Sequence, residues 1–482
     1  AYVIDRFVRP GGGAIRFETL SGTLTVERRG ELYEMDFPAY TLKPLEVTDQ
    51  IADALGTRPK EVWRARDLLC VFDRAEDIVN MKPDMEKLKG LKGALMQVTA
   101  PGSGEFDCVV QLYREGALLE ERPMETAVPP GESRTYDLPL WPERLDTEYA
   151  VIVSFRLRRD ESWGKRGHEV AFGQWCGGKL PEPVCPDGPL EVIDSQWNLG
   201  VRGKDFHVLF SKTMGGMISY RYGGRELLSG IPQPNFWRAP TANDRGCKAP
   251  ARYAQWKLAS LYPINQNPDG LKPGEQAWTV QRGDGWVEIA YTCQMPTEPQ
   301  SSCVLAYRVS ADGTVETTLS SDAPKVLGPA PEFGVMLQMD ADFHRLRWYG
   351  PGPEETYCDR RLGGKLGVWE STAEDSLGPN LTPQECGNHT GVRWASVTDD
   401  SGLGLLFQGD GMEFSALPWT PHQLEYAAHP HELPAVHHTV VRVSAMQMGL
   451  GGDNSWGATP RPEYLLPEKA MTFRFRFRAI GG

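Results

Sequence analysis

Along most of this chain apolar and polar residues alternate with a period of two. Ile15, Phe17 and Thr19 alternate with polar neighbours, Ser21-Gly22 supplies a turn, and Leu24 and Val26 resume the period, so residues 15–37 predict paired strands. Two short helices are expected next. Thr48 is placed to cap Asp49 to Leu55, whose Ile51, Ala54 and Leu55 share one face before Gly56 ends it. Pro83 stands where a first helical residue would, ahead of Asp84 to Lys89 and Gly90. From about Val109 helical periodicity almost disappears. Val151, Val153, Phe155 and Leu157 fall on one face of a predicted strand, and segments 286–291, 304–309, 335–339, 440–443 and 473–478 continue the pattern. The last of these, Phe473-Arg474-Phe475-Arg476-Phe477-Arg478, alternates strictly and predicts apolar side chains inward and cations outward. Strands separated by Gly/Pro/Asp turns predict packed antiparallel sheets, and the Gly- and Pro-rich segment 177–190 predicts a linker. There is no internal repeat.

The 482 residues correspond to about three domains at roughly 150 residues each. A formal charge of −13 leaves no basic excess, which argues against nucleic acid or an anionic membrane as partner. Fourteen Trp, 16 Tyr and 17 Phe supply flat apolar faces of the kind sugar-binding and all-β proteins use. Nine cysteines, odd in number and without a C-x-x-C pair, indicate neither a disulfide framework nor a zinc site, and a reducing cytoplasm is the expected location. No apolar run reaches about 18 residues, and the opening Ala1-Tyr2-Val3-Ile4-Asp5 lacks the charged region and apolar core of a signal peptide, so neither a membrane span nor a leader is expected.

Candidate chemistry gathers in four places, each with a structural alternative. Residues 449–457 carry four glycines around Trp456, where glycine permits sharp turns and an indole offers a face to a sugar ring; a tight turn with Trp456 plugging the core is the alternative. Residues 235–246 predict an excursion loop whose Arg238, Asn243 and Asp244 could meet ligand hydroxyls, or whose Asn and Asp bond only their own backbone. In residues 348–361 the adjacent Glu354 and Glu355 diverge if extended, so a structural loop with Asp359 paired to Arg360 or Arg361 is favoured over an acid/base pair. His429-x-His431 could place two imidazoles on one face of a strand, yet no third metal ligand is evident and Pro430 interrupts the run, so no metal is expected.

Four segments in order resemble the C-terminal region of family 2 β-galactosidases: Phe236-Trp237-Arg238-Ala239-Pro240 with Asn243-Asp244-Arg245-Gly246; Trp348-Tyr349-Gly350 through Asp359-Arg360; Pro383-Gln384-Glu385 with Gly387-Asn388 and Val392-Arg393-Trp394; and Met448-Gly449 through Gly457. The resemblance implies a mainly β fold: an antiparallel β-supersandwich of galactose-mutarotase type over 190–482, preceded over 109–185 by an immunoglobulin-like β segment that includes Leu112-Tyr113-Arg114 and Pro129-Pro130-Gly131. It further implies that Trp456 stacks on sugar, with Asp453, Asn243, Asp244 and Gly246 beside it as substrate-binding residues. Where the family commonly shows Asp-Asn-Asp, this chain has Ala242-Asn243-Asp244. Residues 1–108 form a short α/β fragment. Within it, residues 17–26 and Met35-Asp36-Phe37-Pro38 resemble the interior of the PhzF-like phenazine-biosynthesis isomerases, without that family's catalytic Glu or Gly-Ser-Gly-His type motif. The join is expected near Phe106 to Val110.

Retaining glycoside hydrolysis needs two carboxyl groups about 5–5.5 Å apart. In the family they stand on a (β/α)₈ barrel of about 200 residues or more, and no stretch here alternates strands and helices for that length. The sequence therefore implies the small-chain part of a β-galactosidase with no catalytic residue of its own. It is expected to be inactive alone and to assemble as an oligomer with a catalytic barrel chain that carries the family's magnesium and sodium sites, acting on terminal galactosides such as lactose. A free carbohydrate-binding or structural β module, or less readily a PhzF-like isomerase, is the alternative.

Overall fold

The computed structural model describes residues 4–9, 13–19, 22–29, 32–36, 41–91, 95–100, 106–128, 132–161, 163–182, 188–262, 277–454 and 457–481. These divide into two compact units, one of residues 1–109, 125–127 and 154–172, the other of 110–124, 128–153 and 173–482. Among the described residues no helix is long and apolar enough to cross a membrane. All eight described cysteines are free thiols.

In the first unit the expected strands form. Ile15–Thr19, Gly22–Arg29 and Leu32–Asp36 make a three-stranded antiparallel sheet. Helix Asp49–Leu55 begins where Thr48 Oγ1 accepts from the N–H of Ile51 and ends at Gly56, whose φ of 72° suits a residue without Cβ. The second helix differs from expectation. Asp84, not Pro83, sets its start: the Asp84 carboxylate accepts from the N–H groups of Glu86 and Lys87, so Asp84 stays extended and the helix runs Met85–Lys89. A further turn of helix, Ala75–Val79, has no cap bond and gave no signal in the sequence. Strand Leu68–Val71 lies between Glu61–Arg64 and Met96–Thr99, and its pairing with the latter is parallel, over a core of Ile51, Leu55, Val62, Leu68, Cys70 and Phe72.

A four-stranded sheet follows, in the spatial order Glu169–Gly177, Tyr149–Leu157, Phe106–Arg114, Ala117–Met124. The expected join at 106–110 thus falls inside one continuous strand. Tyr149–Leu157 is not one-sided as its alternation predicts: Val151 packs with Val110 and Leu140 while Ala150, on the opposite face, packs with Tyr349 and Leu366. Small and β-branched residues serve both faces, so alternation could not reveal the second.

The rest of the second unit is a sandwich. Five strands between Glu191 and Glu226 form one sheet, and twelve between Gln233 and Ile480 form the other, with every pairing antiparallel. The 14-residue strand Gly404–Leu417 organises the larger sheet. Its first half pairs with Met471–Ile480 and its second half with His438–Gln447. The change of partner occurs around Gly411, where φ is 67°. Both sheets close one core: Tyr220 of the smaller sheet stacks at 6.0 Å on Phe477 of the larger, donates to Gly313 O and accepts from the N–H of Ala479. In Met471–Ile480, Phe473, Phe475 and Phe477 are buried while Arg474 and Arg478 are exposed, as the alternation predicts.

Candidate functional site

The four motif segments are joined by hydrogen bonds that span up to 211 residues of chain. The first is organised by a helix the sequence reading missed. Thr241 caps the turn Ala242–Gly246 in a reciprocal box: Thr241 Oγ1 accepts from the N–H of Asp244, and Asp244 Oδ2 accepts from the N–H of Thr241. Two more short helices, Ala249–Arg252 and Ala254–Leu261, extend it. Thr241-x-x-Asp244 is the sequence signal that could have found this start.

Arg238, one of three residues of this loop that could have met ligand hydroxyls, is buried at 2 % exposure. Its guanidinium binds Asp244 at 3.1 and 3.2 Å and the carbonyl of Gly449 at 2.9 Å, and donates to the carbonyl of Met448. Burial works against its charge, but Asp244 and Glu385 outweigh that and hold the cation. Asp244 is enclosed with it. It is 3 % exposed and its oxygens are consumed by Arg238 and Thr241, so it fixes the loop rather than facing solvent. Arg238 thereby ties the first motif to the fourth.

Asn243 and Gly246 strengthen that tie. Asn243 Nδ2 donates to Ala458 O at 3.1 Å. A Cβ at Gly246 would lie 3.3 Å from Gly457 Cα, and one at Gly457, where φ is 89°, would lie 2.6 Å from Gly246 O. Both glycines therefore permit the contact. Ser455 and Trp456 lie outside the described residues. Asp453 is exposed and pairs with Arg461 at 2.8 Å.

The second motif joins from beneath. Asp359 does not pair with Arg360 or Arg361 as expected; its Oδ2 accepts from the N–H of Gly451 at 3.1 Å, under the glycine loop, while Oδ1 is buried without a partner. Arg360 pairs with Glu355, whose other oxygen accepts from the N–H of Gly387. Glu354 is exposed beside it, so the adjacent carboxylates do diverge. Asp359 is a site residue that sequence reasoning passed over, because its partner is a backbone amide 92 residues away. The third motif contributes Gln384, whose Oε1 accepts from the N–H of Ala242 at 2.9 Å, and Asn388, whose carbonyl accepts from the N–H of Thr356 at 2.7 Å.

Below the loops lies a buried polar floor. Arg442 donates to Glu332 at 2.7 Å, Glu385 at 2.6 Å and Ser415 at 3.1 Å. Burial pushes Glu332 above the usual carboxylate range, and the two carboxylates, outweighing burial, push Arg442 up. Among the described residues no guanidinium pairs with Glu413. It accepts from Asn388 Nδ2 and the N–H of Gln447, and burial pushes its carboxyl up to about 8.

All three carboxylates are buried, Glu385 Oε2 without a partner, and none of them lines the two recesses described next. A recess of 110 Å³ lined by Asn380, Gln384, Trp419, Leu424, Pro430 and Leu433 adjoins the Ala242 turn through Gln384. A separate 450 Å³ cleft lined by Glu148, Lys179, Arg393, Asp410 and Arg476 includes no residue of the 242–246 or 449–457 loops. Magnesium and sodium, which the resemblance assigns to the partner barrel, require clustered oxygen ligands. Among the described residues the cluster within reach of one ion is His429, His431 and Glu432, whose imidazoles do not suit magnesium. His429 and His431 also do not lie on a strand: Pro430–Glu432 is a 3₁₀ turn, because Pro430 cannot extend a ladder.

Residues 202–478, more than half of the chain, match the family described as Beta galactosidase small chain, and residues 102–177 match Beta-galactosidase, domain 4. A β-galactosidase of Halalkalibacterium halodurans is 37 % identical over 366 residues, covering 74 % of this chain and 35 % of that protein. A β-galactosidase small subunit of Latilactobacillus sakei is 32 % identical over 297 residues, covering 57 % of this chain and 93 % of that protein. Among solved structures, a phenazine biosynthesis protein of the PhzF family from Enterococcus faecalis is 30 % identical over 21 % of this chain and 40 % of that one, with a TM-score of 0.18. Galactose 1-epimerase from Lactobacillus acidophilus is 9 % identical over 61 % of this chain and 99 % of that one, with a TM-score of 0.34. The chain spans about a third of the length of the full β-galactosidases it matches. With its four ordered motifs joined by hydrogen bonds and a family match over most of the β-sandwich, the chain belongs to the β-galactosidase small-chain family.

Proposed function

We propose that this chain is the accessory part of a β-galactosidase, completing a galactoside site whose chemistry is carried by a barrel-bearing partner chain. The observation that carries this reading is the convergence of the Ala242–Gly246 turn with the Met448–Gly457 segment, held by Arg238, Asn243 and Asp359. These bonds fix the described part of the glycine loop through its backbone, and positioning of that kind is what a sugar platform needs. Trp456 is the proposed platform. Asn243, Asp453 and Gly246 shape the mouth around it, and Asp244 acts by positioning.

The retaining mechanism needs a nucleophile and an acid/base about 5–5.5 Å apart across the sugar. Glu332 and Glu385 share the single cation of Arg442 and Glu413 is enclosed, so none of the three is free to act on a sugar, which supports placing the catalytic pair on a partner chain. The substrate class is a terminal β-galactoside of the lactose type, the catalytic cations belong to the barrel chain, the assembly is oligomeric and the compartment is the cytoplasm. The test is hydrolysis of an aryl β-galactoside by this chain alone and after mixing with the barrel chain of a two-chain β-galactosidase. Turnover only in the mixture is expected. Turnover by the repurified chain alone would overturn the division of labour.

A further inference from the structure

We infer that His429, His431 and Glu432 form a binding site for a zinc-like divalent transition metal, separate from the galactoside site. One donor atom from each of the three side chains lies within 4.8 Å of the other two, and all three side chains are exposed. The turn that breaks the expected strand creates this geometry. Pro430 fixes its own φ and starts the 3₁₀ turn Pro430–Glu432, which brings the imidazoles of His429 and His431 to 5.4 Å, tilted by 21°, instead of spacing them along a strand. The same turn delivers the third ligand that sequence spacing did not show. Glu432 Oε1 lies 3.0 Å from His429 Nδ1, and its Oε2 accepts from the N–H of Ala428 at 2.8 Å, so the carboxylate is already oriented by the backbone.

Metal–ligand bonds of about 2.0–2.2 Å in a tetrahedron place donor atoms roughly 3.4 Å apart. The His429–Glu432 edge needs only to open slightly. The edges to His431 need at most a rotation of an exposed side chain, with no core group displaced. Two imidazoles and one carboxylate suit Zn²⁺, Co²⁺, Ni²⁺ or Cu²⁺ rather than Mg²⁺ or Ca²⁺, which take all-oxygen shells. Three protein ligands leave a coordination position for water or an external donor. Pro430 and Leu433 also line the 110 Å³ recess beside Trp419, so a bound ion would brace one wall of that recess.

The experiment is titration of the chelator-treated full chain with Co²⁺, reading the visible d–d absorption of the bound ion, followed by displacement with Zn²⁺. One saturable equivalent is expected, with His431→Ala weakening binding at least about tenfold and Glu432→Gln weakening it severalfold. Thermal melts without metal should be unchanged in both variants because the side chains are exposed. His437→Ala, just beyond the turn, and Cys176→Ser, which removes an exposed thiol, serve as controls and should leave the affinity within about twofold. Absence of a saturable equivalent, or binding that survives His431→Ala and disappears in Cys176→Ser, overturns the assignment.

Discussion

Replacing Glu413 by glutamine should remove a specific pH dependence of stability. Glu413 is 5 % exposed on strand Gly404–Leu417, and one of its oxygens accepts from both Asn388 Nδ2 at 2.9 Å and the N–H of Gln447 at 3.1 Å. Burial outweighs those bonds and pushes the carboxyl up to about 8, so the folded chain holds a proton that the unfolded chain releases near pH 4.5. The stability this proton confers is full below about pH 4.5 and is lost as pH rises through about 8. His389 and His422 act in the opposite direction over a lower range. Burial pushes each down to about 4, so their contribution is present above about pH 6.5 and lost as pH falls toward 4. Between pH 6.5 and 8, therefore, Glu413 acts without them. At about 1.36 kcal/mol per pH unit, that interval of about 1.5 units amounts to about 2 kcal/mol. A glutamine in its place would retain an amide oxygen for both hydrogen bonds and have nothing to titrate. For a unit of this size about 2 kcal/mol corresponds to about 3 °C. The melting temperature of the parent chain should therefore fall by about 3 °C more than that of Glu413→Gln between about pH 6.5 and 8.0 in scanning calorimetry. Parallel falls in the two proteins would show that Glu413 is ionised in the fold and that the burial argument fails.

Arg238→Met should cost about 3–5 kcal/mol in thermal melts, since Asp244 stays buried without its cation, and adding Asp244→Asn should recover part of the loss. Gly457→Ala should raise the KM of the mixed enzyme for an aryl galactoside while leaving the sandwich melt nearly unchanged, because its Cβ would sit 2.6 Å from Gly246 O in a surface loop; an unchanged KM would separate this contact from the sugar site. Trp456→Ala in the same mixture should weaken galactoside binding about five- to thirtyfold, from roughly 1–2 kcal/mol of stacking at about 1.4 kcal/mol per tenfold. A core indole would instead remove about 3–5 kcal/mol of stability with affinity unchanged, so paired melts and binding curves decide which role it has.

Strand content was legible wherever one face of a strand is dry and the other wet. Phe473, Phe475 and Phe477 are buried while Arg474 and Arg478 are exposed, so a period of two reports that strand directly. Tyr149–Leu157 was legible as a strand from Val151, Val153, Phe155 and Leu157, but it packs on both faces, and alternation showed only one of them. The helices after Thr241 were hidden for a different reason. Each is too short to develop a periodic apolar face, and only the Thr241-Asp244 box marks the start. The catalogue of motif residues was readable, but their roles were not. Arg238 and Asp359 carry the charge and polarity of ligand-binding groups, and both spend it on the backbone of the glycine loop, far along the chain from either of them.

That outcome follows from what a glycine-rich loop lacks. With few side chains of its own, residues 449–457 cannot bury enough apolar surface to hold one conformation, and glycine adds to the entropy of ordering it. Fixation must come from polar groups that reach its carbonyls and amides from outside, and such groups resist solvent competition only if they are themselves buried. Arg238 at 2 % exposure, anchored by an equally buried Asp244, meets that requirement, and the half-buried Asp359 adds a bond to the amide of Gly451. Charged residues in the motifs of such a site are therefore expected to divide into an enclosed set that fixes the loop and a smaller exposed set that meets ligand. In this chain Arg238, Asp244, Asp359 and, through Ala458, Asn243 hold the loop, and substitution of the exposed Asp453 or of the proposed platform Trp456 should move affinity before it moves stability.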